Sequence, residues 1–365
     1  MLISVFGTPS ALTAWTVHFA TVAADILWES HHFIASVFLR DLKESWARRN
    51  GKPVIFHSDS PEQALVDLFL DGRIPVVVVC DDPGDVVGYA MAARNLDMRQ
   101  ALRFSSQAYS TLSELFCSQS STVISPKHYS RSLSSFTREF LEAFGINPDD
   151  STVRTITSKM SGNPKSGDDE TVIENVRRHL PLARSPGTFE SGWNAEDHRL
   201  ARSIIEQYHI VTKRQPIKFL NWPREILPDF DRLGGAHGSC PCLDGYQSLL
   251  GPGRILTAGH ALHLPRGHWR VSVQISVKDN WSGNKIASDI LLGDVSVGGI
   301  VARLPPQGSF GYHIEFEVAD AFPPTQVRIV LVEGAIEGEV LVESVQFENL
   351  NNQATAGNLK PISIH

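Results

Sequence analysis

His57 closes a short apolar run, Pro53 to Phe56, and Asp59 follows two residues later. A histidine at the carboxyl end of a buried strand is placed to take a proton from a substrate hydroxyl. Asp59 would either orient that ring or simply begin the next turn. Two other segments, Gly7 to Trp15 and Cys80 to Tyr89, stand between an apolar run and the start of a helix. Free N–H groups at a helix start favour an anion. Lys159 and Lys165 lie in a polar, glycine-containing stretch, where they would meet an anion or remain solvated. His31 and His32 follow the first helical pattern and read as surface or core-edge residues. Metal-like groupings are incomplete. His237, Cys240 and Cys242 supply three ligands with no fourth at finger-like spacing. His260 and His263 would point to opposite sides of a regular strand, and His268 lies beyond them. No metal site is expected.

Composition narrows the partners. The 365 residues hold 33 Lys and Arg against 40 Asp and Glu, a formal charge of −7. That excludes a broad nucleic-acid footprint, which needs clustered cations. Four cysteines, with Cys240 and Cys242 too close to bridge without strain, are too few for a secreted disulfide scaffold. Free thiols in a reducing cytoplasm are expected. Residues 1–25 are apolar, but no cation precedes them and Gly7-Thr8-Pro9-Ser10 breaks the run. They read as strand, turn and helix rather than a leader, and no membrane span is expected.

The elements that would position these residues follow from periodicity. Leu2 to Phe6 and Pro75 to Cys80 are apolar runs suited to buried parallel strands. Trp15, Phe19, Val22 and Ile26 recur at helical spacing. Ser60 and Pro61 suit a helix start, with Leu65, Leu68 and Phe69 on its face. Strand, turn and helix thus repeat three times in the first 95 residues, which is the order of a parallel α/β sheet. Helices are expected over 101–118, 134–144, 169–179 and 195–208. Beyond residue 218 comes a Pro/Gly-rich stretch, 219–252, read as a linker. After it the period becomes two: Trp269, Val271, Val273, Ile275 and Val277 alternate with polar residues, as do Ile314, Phe316 and Val318. The shift from Val340 and Val342 to Val345 and Phe347 implies a bulge. A β-sandwich over 253–350 and a tail over 351–365 complete the expectation, preceded by an α/β domain over 1–218.

The order of landmarks over roughly residues 1–212 resembles the sulfotransferase family. Pro9-Ser10-Ala11-Leu12-Thr13-Ala14-Trp15 stands where that family has its phosphosulfate-binding turn. His57, with Pro61 soon after, stands where it has a catalytic histidine. Asp81-Asp82-Pro83-Gly84-Asp85 stands where it has a motif that holds the donor's 3′-phosphate. The resemblance implies a three-layer parallel sheet of P-loop type. It also implies 3′-phosphoadenosine 5′-phosphosulfate as cofactor if the chain is active. Pro9, Ser10, Thr13, Ala14, Trp15 and Asp85 would bind that donor, and His57 would act as catalytic base. The chain departs from the family at four positions. Ser10 replaces a basic residue, Leu12 a glycine, Asp81 an arginine and Tyr89 a serine. A carboxylate in place of a cation opposes a dianionic phosphate.

The segment Ala261 to Val271 resembles a strand pair of jelly-roll modules found beside bacterial glycan-modifying enzymes. That resemblance implies carbohydrate binding by aromatic faces. Trp281 and Tyr312 are the candidates, since Trp269 keeps the phase of the core valines. Phe310 is a weaker choice. Two functions stay open: a sulfotransferase-like protein acting on or binding a bacterial polysaccharide or its precursor, and a non-catalytic glycan-binding or assembly protein on the same fold. A homo-oligomer is compatible with either.

Overall fold

The computed structural model describes residues 1–162, 170–180, 195–223, 246–259 and 261–353. The chain divides into two compact units. Unit 1 comprises Met1–Pro216 together with the short segments Leu262–Pro265 and Asp320–Phe322; unit 2 takes the rest.

Unit 1 is α/β. Its strands are β1 (Leu2–Gly7), β2 (His32–Ala35), β3 (Val54–Ser58), β4 (Val76–Val79) and β5 (Ser121–Ile124), in the order β2-β3-β1-β4-β5. Every pairing is parallel. Alternation along β1 sorts its side chains between two cores. Ile3 and Val5 join Ile55, Val77, Val79 and Ile124 beneath α1 (Ala11–Trp28), α6 (Leu133–Glu142), α7 (Asp150–Ser161) and α8 (Val172–His179). Phe6 meets Phe56 and Phe69, with ring centroids 5.6 and 4.9 Å away. Phe69 belongs to α3 (Gln63–Asp71), which packs with α5 (Met98–Cys117). α5 also packs against α4 (Pro83–Arg94) and α9 (Ala195–His209). Among the described residues, only α1 is long and apolar enough to cross a membrane, and Trp15, Phe19, Ala20, Ala23 and Ala24 are buried in this core.

Several elements differ from expectation. β2, β5, α2 (Leu39–Arg48) and α7 were not anticipated. α3 begins at Gln63, not at Ser60. Glu62 precedes it in extended conformation, and its Oε1 accepts from the Leu39 N–H at 2.7 Å. That bond ties the approach to α3 to the start of α2, while Ser60 donates to Asp59 instead. α4 starts earlier than the apolar pattern implied, because Asp82 caps it through the Gly84 N–H and Pro83 fills its first turn.

Unit 2 is a β-sandwich of two antiparallel sheets. One has the order β11-β10-β13-β8: β8 (Arg254–Ala258), β10 (Lys285–Leu292), β11 (Val295–Arg303) and β13 (Thr325–Leu331). The other has the order β12-β9-β14-β6, with β7 (Gln247–Ser248) on β14: β6 (Phe219–Trp222), β9 (Gly267–Lys278), β12 (Gly308–Val318) and β14 (Glu339–Asn349). Trp269, Val271, Val273 and Ile275 are buried and their intervening neighbours face outward, apart from Ser276 at the end of the run. The expected bulge is present, as a register shift between Val342 and Ser344.

The stretch expected as linker from residue 219 opens instead with β6. Phe219–Trp222 pairs with Val345–Glu348, and the Trp222 and Phe347 rings lie 4.4 Å apart. Alternate burial of Leu220 and Trp222 is too short a signal to stand out beside the prolines and glycines that follow.

Candidate functional site

The carboxyl edge of the parallel sheet is where ligands bind in open α/β folds, beside the strand at which the chain changes direction. β1 is that strand here: its neighbours are β3 and β4, and the chain leaves it into α1.

The turn after β1 is tight. The Thr8 N–H donates to the Val79 carbonyl at 3.0 Å. Ser10 is the N-cap of α1, its Oγ accepting from the Thr13 N–H at 3.1 Å. The Thr13 hydroxyl donates back to the Thr8 carbonyl at 2.6 Å. Thr13 thereby folds over Gly7, where a Cβ would lie 2.6 Å from Thr13 Oγ1 and 3.0 Å from Val79 Cβ. Gly7→Ala is therefore expected to destabilise unit 1 by about 1–3 kcal/mol, the usual range for overpacking. Urea unfolding followed by circular dichroism would measure it.

The side chains of this turn are internal. Thr8, Pro9, Ser10, Leu12 and Thr13 are buried, Ala14 is half-buried, and Trp15 is fully buried. Trp15 donates from Nε1 to Asn175 Oδ1 at 2.9 Å and packs against Phe19 and Phe136. It is a core residue. Asp85 lies buried in the first turn of α4.

The decisive group is Asp81, at the exit of β4. Its side chain is 1% exposed. The Tyr129 hydroxyl donates to Oδ2 at 2.7 Å and the Asp82 N–H to Oδ1 at 3.0 Å. The Leu12 N–H, in the first turn of α1, also acts on this carboxyl and favours its ionised form. Burial outweighs these donors, and with the nearby Asp85 it pushes the Asp81 pKa up to about 7. A carboxyl group from within the chain thus occupies the region where α1 would offer its N–H groups to an external anion.

His57 lies on β3, which pairs with β1 on the side away from β4, and is half-buried. Its Nδ1 is 3.0 Å from the Val5 carbonyl. A carbonyl only accepts, so Nδ1 carries the proton and Nε2 keeps its lone pair. Burial holds the pKa below the usual histidine value, against the opposing pull of the Val5 carbonyl and Asp59. His57 is a neutral imidazole with a basic nitrogen. Asp59 does not orient it by a hydrogen bond: Oδ2 takes Arg94 at 2.5 Å and Oδ1 takes Ser60 at 3.0 Å. Tyr89, in α4, is partly buried.

The remaining candidates separate. Lys159 and His31 both pair with Asp25, at 3.9 and 3.2 Å. His32 begins β2. Lys165, His237, Cys240, Cys242 and His260 lie outside the described residues. No group of three metal-binding side chains occurs among the described residues.

In unit 2, Tyr312 is not at a loop, as expected, but within β12. It shares parity with Ile314 and Phe316, its hydroxyl is buried, and burial raises its pKa to about 12. It is half-buried, in phase with the core residues of its strand. Trp281 is the opposite case, 69% exposed on the turn between β9 and β10. That turn is held from beneath by Asn280, which is fully buried. Its Nδ2 donates to the Leu304 and Pro305 carbonyls at 3.0 Å each. Its Oδ1 accepts from the Asn284 N–H and Nδ2 at 3.1 and 2.7 Å. Ser282 donates through N–H and hydroxyl to Glu337 Oε1 at 2.5 and 2.7 Å. The indole therefore stands on a fixed backbone. Asp279-Asn280-Trp281-Ser282-Gly283-Asn284 is rich in turn formers, and those residues were the available sign of this scaffold.

No family model matches the chain, and no curated protein matches it. Solved structures give weak likenesses. A mouse sulfotransferase complexed with PAP is 11% identical, covering 54% of this chain and 80% of its own, with a TM-score of 0.35. The C-terminal CBM6 module of a laminarinase from Zobellia galactanivorans is 14% identical, covering 36% of this chain and 99% of its own, with a TM-score of 0.24. A xylan-binding CBM15 module is 14% identical, covering 32% of this chain and 86% of its own, with a TM-score of 0.25.

Proposed function

We propose that this chain is a carbohydrate-binding protein whose α/β unit keeps a sulfotransferase-like frame without acting as a sulfuryl transferase. The observation that carries the reading is the Asp81 carboxyl at the start of α1, bonded to Tyr129 and engaged by the Leu12 N–H. A phosphate entering there would meet a buried carboxyl, about half ionised at pH 7, and a turn already satisfied internally. The sandwich, read as a jelly-roll module, supplies the ligand surface through Trp281. An exposed indole on a rigid turn offers an apolar face to a sugar ring at little ordering cost.

Calorimetry on the full chain tests this. No heat of binding is expected with 3′-phosphoadenosine 5′-phosphate. An oligosaccharide is expected to bind, and Trp281→Ala should weaken it by about tenfold or more, as removing a central aromatic anchor does. Nucleotide binding in the micromolar range, with no response to Trp281→Ala, would sink the proposal. His57 favours a second reading, sulfuryl transfer to a polysaccharide hydroxyl, because its Nε2, without a hydrogen bond among the described residues, is that of a general base. That reading needs turnover of the phosphosulfate donor, abolished by His57→Ala.

A further inference from the structure

We infer that the Trp281 turn selects acidic carbohydrate, with a sugar ring on the indole and its anionic substituent on Arg303. This rests on the carbohydrate-binding reading above and names the ligand class of that site. Arg303, the last residue of β11, is exposed and lies across the turn two residues from Trp281. Its Nε donates to the Gly283 carbonyl at 3.1 Å. A Cβ on Gly283 would lie 3.3 Å from Arg303 Cδ and 3.6 Å from Cζ, so the arginine stem rests directly on the turn. Gly283 also has a φ of +65°, which its lack of a side chain permits.

This single bond fixes the guanidinium while using only one of its donors. The two Nη groups have no hydrogen bond or ion pair among the described residues. Glu337, which holds the turn through Ser282, makes no hydrogen bond or ion pair to Arg303. The fork that the guanidinium leaves unmet is planar and tethered through Nε, and an oxyanion accepts from such a fork in two parallel bonds. A carboxylate on a uronic acid and a sulfate half-ester share that chemistry.

Calorimetry of the full chain with hexagalacturonate, a κ-carrageenan hexasaccharide and cellohexaose separates the cases. At low salt, at least one acidic oligosaccharide is expected to bind about tenfold or more tighter than cellohexaose, since a charge-assisted bond is worth that much. The preferred acid tells carboxylate from sulfate. Arg303→Gln should abolish the preference, bringing the acidic oligosaccharide down to the affinity of cellohexaose for the same variant, and Arg303→Lys should restore only part of it. Equal affinity for all three, or a preference that survives Arg303→Gln, overturns the inference and leaves the carbohydrate-binding reading standing. Binding of none of the three overturns both.

Discussion

Trp15→Ala is expected to destabilise unit 1 by about 3–5 kcal/mol, the usual cost of truncating a large aromatic in a packed core. Two effects combine. The indole is fully buried, with the Phe19 and Phe136 rings 5.6 and 5.1 Å away, so its removal leaves a cavity in the core. Its loss also strands Asn175 Oδ1, a buried acceptor whose side-chain nitrogen is tied to the Met160 carbonyl at 3.2 Å. Trp15→Phe separates the two. It keeps an aromatic ring but removes the donor together with the rest of the indole, so about 1–3 kcal/mol should be lost, less than for alanine. Urea unfolding followed by far-ultraviolet circular dichroism reads both variants. The same variants bear on function: neither should change oligosaccharide affinity in the folded protein, because this tryptophan serves the core.

Asp81→Asn is expected to make the native state more stable above pH 7 and to flatten its pH dependence below that. In the unfolded chain Asp81 has its ordinary pKa of 3.8, whereas in the native state burial moves it to about 7. Below pH 3.8 both states hold the proton and Asp81 contributes no pH dependence. As pH rises from 3.8 to 7 the unfolded chain releases the proton first, so native stability falls. Above 7 both are ionised and the loss is complete. At about 1.4 kcal/mol per pKa step, the loss is bounded by about 4 kcal/mol. Asparagine cannot ionise, yet its amide oxygen can still accept from the Tyr129 hydroxyl. Thermal unfolding at pH 5 and pH 8 checks this. An Asp81→Asn variant with the same drop in melting temperature between those pH values as the parent would contradict the assignment.

How far these features were legible in the sequence depended on the strength of local signals. β1, β4 and α1 were readable because apolar runs and helical spacing are set by burial on two faces or on one stripe. α7 was not. Its Asp150-Ser151-Thr152-Val153 start is poor in strong helix formers. The helix forms because Asp149 caps the Thr152 N–H at 2.7 Å and because Val153, Ile156 and Met160 are buried. The position of Tyr312 was available in principle, since it lies two positions before Ile314 and so shares its parity. Turn-like glycines at 308 and 311 obscured that parity. Asp81 was recognised as a departure from the sulfotransferase pattern, but its role was not. That role depends on Tyr129, 48 residues away in sequence, and only the parallel arrangement of β4 and β5 brings the two together.

The strand β6 has a consequence for how unit 2 can be dissected. A fragment beginning at residue 253 contains the whole alternating pattern, but it lacks Phe219–Trp222 and bares the outer backbone of Val345–Glu348. It also removes the ring that covers Phe347. An unpaired, partly apolar strand of that kind invites self-association through backbone pairing. A fragment that starts at Ile217 keeps Phe219–Trp222, and with it the border of that sheet.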